Sequence, residues 1–285
     1  MKFKNIAITG ASGLLGRETV KCLEKLAEVT PIDINNSNDN HNYHHADVLS
    51  LDSLETAFKN ADAVVHLAAL QLDAPEDKIF SLNTIGTWNV LQVAQQVGIK
   101  KVILVSSECA TGLVALSRPS VALPDYLPVD EQHPLKPNDA YGCSKETMEA
   151  IGKTFSRWSD MKIVVLRPTT VYGVGMEEDM RQSREIDDPY FWLYVEICDV
   201  VEAIRLGLDY EGPDYDCFFV SAEDTFSPKE TLPFIKDKYG FIPEIRNKHL
   251  YANRPYATIY DNTRAKKVLG LEIKSNWRRY LGEPI

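Results

Sequence analysis

The sequence predicts an α/β protein, a doubly wound parallel sheet with a small C-terminal lobe. Three observations predict it. Short β-branched runs alternate with longer helical stretches as far as residue 168, a Gly-rich turn joins the first run to the first helix, and an acid closes the second run. Strands are expected near 4–9, 28–33, 43–47, 62–66, 100–105 and 162–166, with helices near 13–27, 51–60, 76–97 and 139–158. Residues 1–168 then form a dinucleotide-binding domain, and 169–285 form a substrate-side lobe interleaved with late elements of the sheet.

The first strand, Asn5-Ile6-Ala7-Ile8-Thr9, is too short and too β-branched to begin a helix, so Gly10, Gly13 and Gly16 fall at a strand-to-helix turn. There the backbone can approach a pyrophosphate without Cβ interference, and the helix that follows aims its unpaired N–H groups at the phosphates. The second strand, Val29-Thr30-Pro31-Ile32-Asp33, ends in an acid placed to accept hydrogen bonds from the adenosine ribose hydroxyls. That acid repels a 2′-phosphate, and no Lys or Arg lies between Lys25 and Lys59 to offset it, so NAD is favoured over NADP; Arg17, just past the last glycine, works against that preference. The whole pattern is that of a Rossmann-type dinucleotide fold.

His66 ends the apolar fourth strand and reads as a packed core residue. After the fifth strand come two serines, Ser106 and Ser107. The segment Pro137-Asn138-Asp139-Ala140 then opens a helix that carries Tyr141 and Lys145 four residues apart. That spacing puts phenol and ammonium on one face, where the cation is expected to lower the tyrosine pKa toward working pH and make it a base.

The Gly10/Gly13/Gly16 turn, Asp33, Ser107 and the Tyr141/Lys145 pair occur in the order found in the extended short-chain dehydrogenase/reductases. Further along are Ala46-Asp47-Val48, His66-Leu67-Ala68-Ala69, Asn83 with Gly86-Thr87-Trp88-Asn89, Leu166-Arg167-Pro168, Val171-Tyr172-Gly173 and Cys198-Asp199-Val200. With these the chain resembles the NAD-dependent epimerase/dehydratase family over essentially its whole length.

The resemblance implies a cofactor shell of Gly10, Ser12, Gly13, Leu14, Leu15, Gly16, Asp33, Asp47, Val48, Leu67, Ala68, Ala69, Asn83, Ser106, Tyr141, Lys145 and Pro168. It implies catalysis by Ser107, Tyr141 and Lys145: Ser107 holds the substrate oxygen while Tyr141 takes a proton and hydride leaves for NAD. Counting back from Gly112 selects Ser107 over Ser106 as the catalytic hydroxyl. In relatives that dehydrate sugar nucleotides a glutamate stands where this chain has Cys109, so dehydration is disfavoured.

Glu108 is either a ligand for substrate hydroxyls or a solvated loop acid. Arg181 and Arg184 either bind a diphosphate or sugar carboxylate or are ordinary surface residues, with Glu177, Glu178, Asp179, Glu185, Asp187 and Asp188 around them. The stretch from Val174 to Asp199 is short for gripping a nucleoside diphosphate, which favours oxidation of a simple sugar or sugar acid. The long segment from Gly112 to Pro128, with Arg118, leaves a nucleotide-sugar epimerase that retains its NAD as the alternative. A catalytically silent NAD(P)-binding regulator is the third reading, disfavoured by the intact Tyr/Lys pair. Tyr190, Phe191 and Trp192 either stack on a sugar or fill the core beneath the lobe, with core favoured.

Composition narrows the rest. At 285 residues and 44% hydrophobic content the chain can bury a sizeable core, and a net charge of −10 argues against nucleic acid or an anionic membrane as partner. Five scattered cysteines suggest reduced thiols, and the basic start leads directly into a strand, so a soluble cytoplasmic protein is expected. His41, His44 and His45 lie in an Asn-rich connection away from the strand ends, and no metal is expected there. The helices near 76–97 and 139–158 carry apolar stripes wider than one sheet face needs, and the resemblance implies that they pair with a twin subunit in a homodimer.

Overall fold

The computed structural model describes residues 2–35, 43–71, 74–114, 123–185 and 192–283. Its centre is a parallel seven-stranded sheet. The strands are β1 (Asn5–Thr9), β2 (Glu28–Asp33), β3 (His44–His45), β4 (Ala63–His66), β5 (Lys101–Val105), β7 (Lys162–Pro168) and β10 (Tyr215–Val220), with the short β6 (Tyr126–Leu127), β8 (Val171–Tyr172) and β9 (Val195–Glu196) outside it. The spatial order is β10-β7-β5-β4-β1-β2-β3, so the chain reverses direction across the sheet between β1 and β4. A ligand crevice opens at that reversal, beyond the carboxyl ends of the strands.

Alternation along each strand builds the two layers. Ile6 and Ile8 of β1 face one side with Val65, Ile103, Val164, Leu166 and Phe218, under α1 (Leu14–Leu23) and α6 (Ile197–Asp209). Ala7, Val64, Val102, Leu104, Ile163 and Val165 face the other, under α2 (Leu51–Phe58), α3 (Glu76–Val97) and α4 (Ala140–Trp158). A third cluster, with Trp192, Tyr194, Phe226, Phe234, Tyr251, Tyr260 and Trp277, fills the later part of the chain and reaches forward to Tyr141. It packs around α5 (Glu177–Glu185), α7 (Thr231–Tyr239), α8 (Lys248–Asn253), α9 (Arg278–Leu281) and β11 (Glu244–Ile245), which pairs with β6. Trp192 is core, as favoured: it is buried, its indole N–H donates to the Ser183 carbonyl at 2.9 Å, and its ring meets Phe234 edge-on. Tyr190 and Phe191 lie outside the described residues.

Two boundaries differ from expectation. The first helix stops at Leu23, because the chain turns there with Leu26 and Ala27 N–H both bonded to the Leu23 carbonyl to enter β2. The third strand is only two residues long, pairing Ile32 and Asp33 with His44 and His45 at the sheet edge. After Pro168 the chain returns to the main sheet: β10 pairs with β7 from Ile163 to Pro168, and α6 covers the β1 face beside α1. Among the described residues no helix is long and apolar enough to cross a membrane.

A buried ion pair ties α4 to the sheet directly behind the crevice. Arg167 on β7 and Glu149 on α4 form a bidentate pair at 2.8 and 2.6 Å, both side chains 5% exposed, and Ser106 Oγ donates to the same carboxylate at 2.7 Å. Removing one partner strands the other charge in the core. Arg167→Met is therefore expected to cost about 3 kcal/mol or more in urea unfolding, with the Arg167→Met/Glu149→Met double variant closer to wild type.

Candidate active site

The crevice has two connected parts that meet at Gly10, Gly13, Leu67, Ala69 and Leu70. The smaller, about 260 Å³, is lined by the glycine turn, Ile32–Asn35, Ala46–Val48 and the segment after β4. The larger, about 680 Å³, runs from Gly13–Gly16 past Val105–Cys109, Tyr141 and Lys145 to Pro168–Val171 and Met176.

Close packing explains the glycines. Gly10 has φ of +70°, and a Cβ on it would lie 2.5 Å from the Ala68 backbone nitrogen. A Cβ on Gly16 would lie 2.2 Å from the Gly10 carbonyl oxygen. The turn is thus drawn against both the β4 end and its own helix, leaving the N–H groups that open α1 turned to the crevice; Gly13 is the cap, with extended backbone and no side chain over them. Asp33 accepts hydrogen bonds from Ser12 N at 3.0 Å and Asn35 N at 3.1 Å, which fix its carboxylate at the rim. The Arg17 guanidinium is also close, donating to the Ser12 carbonyl at 2.5 Å. Val48 is held by Asn89, whose amide donates to the Val48 carbonyl at 3.0 Å, and Asp47 caps its own turn through Leu49 N at 2.9 Å.

Asn83 departs from expectation. It lies one layer behind the crevice, fully buried, and its amide is spent on scaffold: it accepts from Leu70 N at 2.8 Å and donates to the Leu70 carbonyl at 3.0 Å and Ser144 Oγ at 2.9 Å. Its work is to clamp the loop after β4 to α3 and α4. Ser106 borders the crevice, but its hydroxyl turns to Glu149. His66 is buried between Thr9 at 2.7 Å and Thr87 at 3.2 Å, and burial holds its pKa down near about 3, so it is a neutral core residue.

The expected helix start for the tyrosine is present: Asp139 caps α4 by accepting from Gly142 N at 2.7 Å. Tyr141 and Lys145 share a face, with the ammonium 5.5 Å from the ring centre and donating to the Val105 carbonyl at 2.9 Å. Burial pushes Lys145 down to about 8. The expected activation of the phenol by this cation is absent. Burial pushes Tyr141 up, with Cys109 and Glu108 adding to the effect, and hydrogen bonding by Ser107 and Gln71 offsets it only in part. Tyr141 is a neutral phenol here.

Ser107 Oγ donates to Glu108 Oε2 at 2.8 Å and accepts from Cys109 N at 3.2 Å. Glu108 is no solvated loop acid: it lines the crevice, is 3% exposed, and burial raises its pKa to about 7. Neither arginine proposed for substrate lines the crevice. Arg184 is paired with Glu283 and lies over the Trp277 ring at 4.5 Å, and Arg181 is exposed beside Glu178 at 3.8 Å. Arg118 lies outside the described residues, as does His41; among the described residues no group of His, Cys, Asp or Glu is arranged to hold a metal.

Sequence reasoning missed Gln71, Thr169, Thr170 and Met176, all of which line the larger part. The first three were within reach of the rule that ligands gather at carboxyl ends of strands, since they follow β4 and β7 directly. Met176 is brought in by the turn before α5, where its sulfur accepts from Gly173 N at 3.4 Å, and nothing in its local sequence marks it.

Comparison with known proteins agrees with this geometry. Residues 6–187 match the model of the NAD dependent epimerase/dehydratase family. A UDP-glucose 4-epimerase of Vibrio cholerae is 30% identical over 250 residues, 80% of this chain and 74% of that protein. An L-arabinose 1-dehydrogenase (NAD(P)(+)) of Haloferax volcanii is 32% identical over 166 residues, 57% of this chain. These matches are partial: the chain spans 65% of the Haloferax protein and 56% of a Methanocaldococcus jannaschii relative. The fold is that of a short-chain dehydrogenase/reductase superfamily protein from Agrobacterium tumefaciens, with a TM-score of 0.73 at 22% identity over 98% of this chain and 95% of that one. A UDP-glucose 4-epimerase from Thermotoga maritima gives a TM-score of 0.72 at 24% identity over 97% and 96%. By the matching family model and the identity to the Vibrio protein, this chain belongs to the NAD-dependent epimerase/dehydratase family of extended short-chain dehydrogenase/reductases.

Proposed function

We propose that the protein is an NAD-dependent dehydrogenase of a small, neutral, hydroxyl-rich substrate such as a free sugar. One observation carries this: among the described residues lining the crevice Lys145 is the one cation, and it is already held by the Val105 carbonyl. A sugar nucleotide brings two phosphate charges beyond those of the cofactor, and a sugar acid brings one; neither finds a partner there. Glu108 and the hydroxyls of Ser107, Thr169 and Thr170 suit sugar hydroxyls instead.

The residues present fit the dinucleotide. The Gly10–Gly16 turn leaves backbone N–H groups and no Cβ where a pyrophosphate would sit, Asp33 would take the adenosine ribose, and Asp47 and Val48 would border the adenine. Ser12, Leu14, Leu15, Leu67, Ala68 and Ala69 would complete the cradle, Lys145 would hold the second ribose, and Pro168 would border the nicotinamide. Thr169 follows it with a buried hydroxyl that has no partner among the described residues, a polar atom suited to bound cofactor or substrate. NAD when bound supplies the hydride acceptor. The chain's own part is to orient the alcohol with Ser107 and to move its proton through Tyr141. The carboxylate of Asp33 should make NAD bind at least about tenfold more tightly than NADP in fluorescence titration, and equal affinity would mean that Arg17 has cancelled it.

The alternative is a nucleotide-sugar epimerase, favoured by the 30% identity to the Vibrio UDP-glucose 4-epimerase over most of this chain. Purified protein with NAD and a panel of L-arabinose, D-glucose, D-glucuronate, UDP-glucose and UDP-galactose separates the two. Accumulating NADH with a free sugar supports the dehydrogenase. Interconversion of the UDP-sugars without net NADH replaces it by the epimerase. We also read residues 169–285 as the substrate side of the crevice, and α3 with α4 as a dimer face, since Ile85, Trp88 and Trp158 are exposed on adjacent helices. A monomer in sedimentation at micromolar concentration would remove the dimer.

A further inference from the structure

Glu108 is a buried carboxylate set directly beside the hydroxyl that orients the alcohol. It follows Ser107 after β5, lines the larger part of the crevice and is 3% exposed. Among the described residues the hydrogen bond it accepts from a side chain comes from Ser107, at 2.8 Å, and no cation is paired with it. A carboxylate taken out of water needs its donors, because leaving it short of one costs more than the same loss at the surface.

Ser107 cannot serve Glu108 and substrate at once. Its Oγ accepts from Cys109 N at 3.2 Å and carries one proton, which here goes to Glu108 Oε2. Holding the oxygen of a substrate alcohol takes that proton away, and Glu108 then lacks its donor unless the substrate brings another. The spacing allows it to. Ser107 Oγ and Glu108 Oε2 stand 2.8 Å apart, close to the separation of two gauche oxygens on neighbouring carbons, so a diol can lie against both together. Building on the oxidation reading above, we infer that Glu108 determines specificity: its carboxylate accepts a hydrogen bond from the hydroxyl on the carbon next to the one oxidised, and the preferred substrates are vicinal diols.

On binding, Ser107 turns its proton to the reacting oxygen, and the neighbouring hydroxyl takes its place on Glu108. Hydrogen bonds are exchanged and none is lost. A substrate without that hydroxyl either leaves the carboxylate short of a donor or leaves Ser107 turned away from the reacting oxygen, and both raise the barrier. The pair is also held in place before substrate arrives. Glu108 opens the 3-10 turn Glu108–Thr111, where the Thr111 hydroxyl donates to the Glu108 carbonyl at 2.7 Å and meets the Tyr260 hydroxyl at 3.0 Å, while Lys136 N donates to the Thr111 carbonyl at 3.2 Å. Burial raises the carboxyl to about 7, so an assay at about pH 8 keeps it ionised as an acceptor.

The test compares kcat/KM at that pH for the free sugar found in the panel and two of its deoxy analogues, one lacking the hydroxyl next to the oxidised carbon and one lacking a remote hydroxyl. For D-glucose oxidised at C1 these are 2-deoxy-D-glucose and 6-deoxy-D-glucose. Wild type, Glu108→Gln and Glu108→Ala are measured, with NAD affinity followed by fluorescence. Wild type should lose about 100-fold on the first analogue and less than about tenfold on the second. The preference for the parent sugar over the first analogue should shrink to about tenfold or less in Glu108→Gln and to about threefold or less in Glu108→Ala, with NAD bound as by wild type. Because this preference is a ratio within each enzyme, a general loss of activity from a displaced turn does not imitate it. Two results overturn the assignment: wild type accepting the first analogue within about threefold of the parent sugar, or its preference persisting undiminished in either variant. If wild type binds NAD but oxidises no sugar in the panel, the dehydrogenase reading fails and the assignment falls with it. Failure of the assignment alone leaves wild-type turnover of the parent sugar in place.

Discussion

Tyr141→Phe should abolish NAD reduction, with turnover reduced about 1,000-fold or more, while NAD affinity and the folded state are retained. The ring is 7% exposed and belongs to the cluster that joins α4 to the later part of the chain, so phenylalanine fills the same space. What disappears is one oxygen, at a cost of about 1 kcal/mol in stability. The effect on rate should be far larger because, on the proposed reading, that oxygen exchanges the proton of the substrate hydroxyl. The comparison to make is single-turnover NADH formation beside a thermal melt of the same preparation. Turnover within about tenfold of wild type would mean that another group carries the proton.

Gly16→Ala should be severely damaging to the cofactor cradle. The added Cβ would lie 2.2 Å from the Gly10 carbonyl oxygen and 2.7 Å from Ala11 backbone atoms, and neither can yield without moving the turn. Backbone, unlike the tip of a flexible side chain, gives way only at a cost of about 1–3 kcal/mol, and here the displaced atoms are the turn whose N–H groups would meet the pyrophosphate. NAD affinity should fall about 100-fold or more and the melting temperature should drop together with it. Gly13→Ala is the comparison, since its Cβ would stand 3.3 Å from the same oxygen, a contact that a small shift relieves. If the two variants bind NAD equally well, close packing at Gly16 is not what shapes the cradle.

The centre of the main sheet was legible because its strands carry their own signal, whereas the two-residue edge strand β3 does not. Ile6-Ala7-Ile8 and Val64-Val65 are β-branched or small, are bounded by turn residues, and lie in a parallel sheet covered on both faces, so an uninterrupted apolar run is itself the signature. The glycine turn and Asp33 were legible for a related reason: their chemistry is local, requiring only that a strand end and a helix begin. The capped start of α4 belongs in the same group. Asp139, Tyr141 and Lys145 sit within one helical turn or two of each other, and helical geometry alone puts the last two on one face.

Where the reading went astray, the property in question depends on atoms far away in sequence. Asn83 has the amide of a ligand-binding residue, and only the folded chain shows that Leu70 and Ser144 consume it. Arg184 looks available for an anionic substrate until Glu283, 99 residues away, is found against it. Tyr141 beside Lys145 suggests a lowered phenol pKa, but burial by the later cluster and the nearby Glu108 reverse the direction. Glu108 is the clearest instance: in a serine-rich loop it reads equally well as a solvated acid, and closure by α4 and the Tyr260 segment takes it out of water.

By itself, then, the sequence determined the strand order's raw material, the glycine turn with Asp33, and the helical face shared by Tyr141 and Lys145, because short-range periodicity and turn chemistry are written in neighbouring residues. Only the tertiary structure decided which polar groups were free to act and in which protonation state. Desolvation, the largest influence on Glu108, Tyr141 and Lys145, depends on everything packed around a group, and that is assembled from segments as distant as Gln71, Tyr141 and Tyr260.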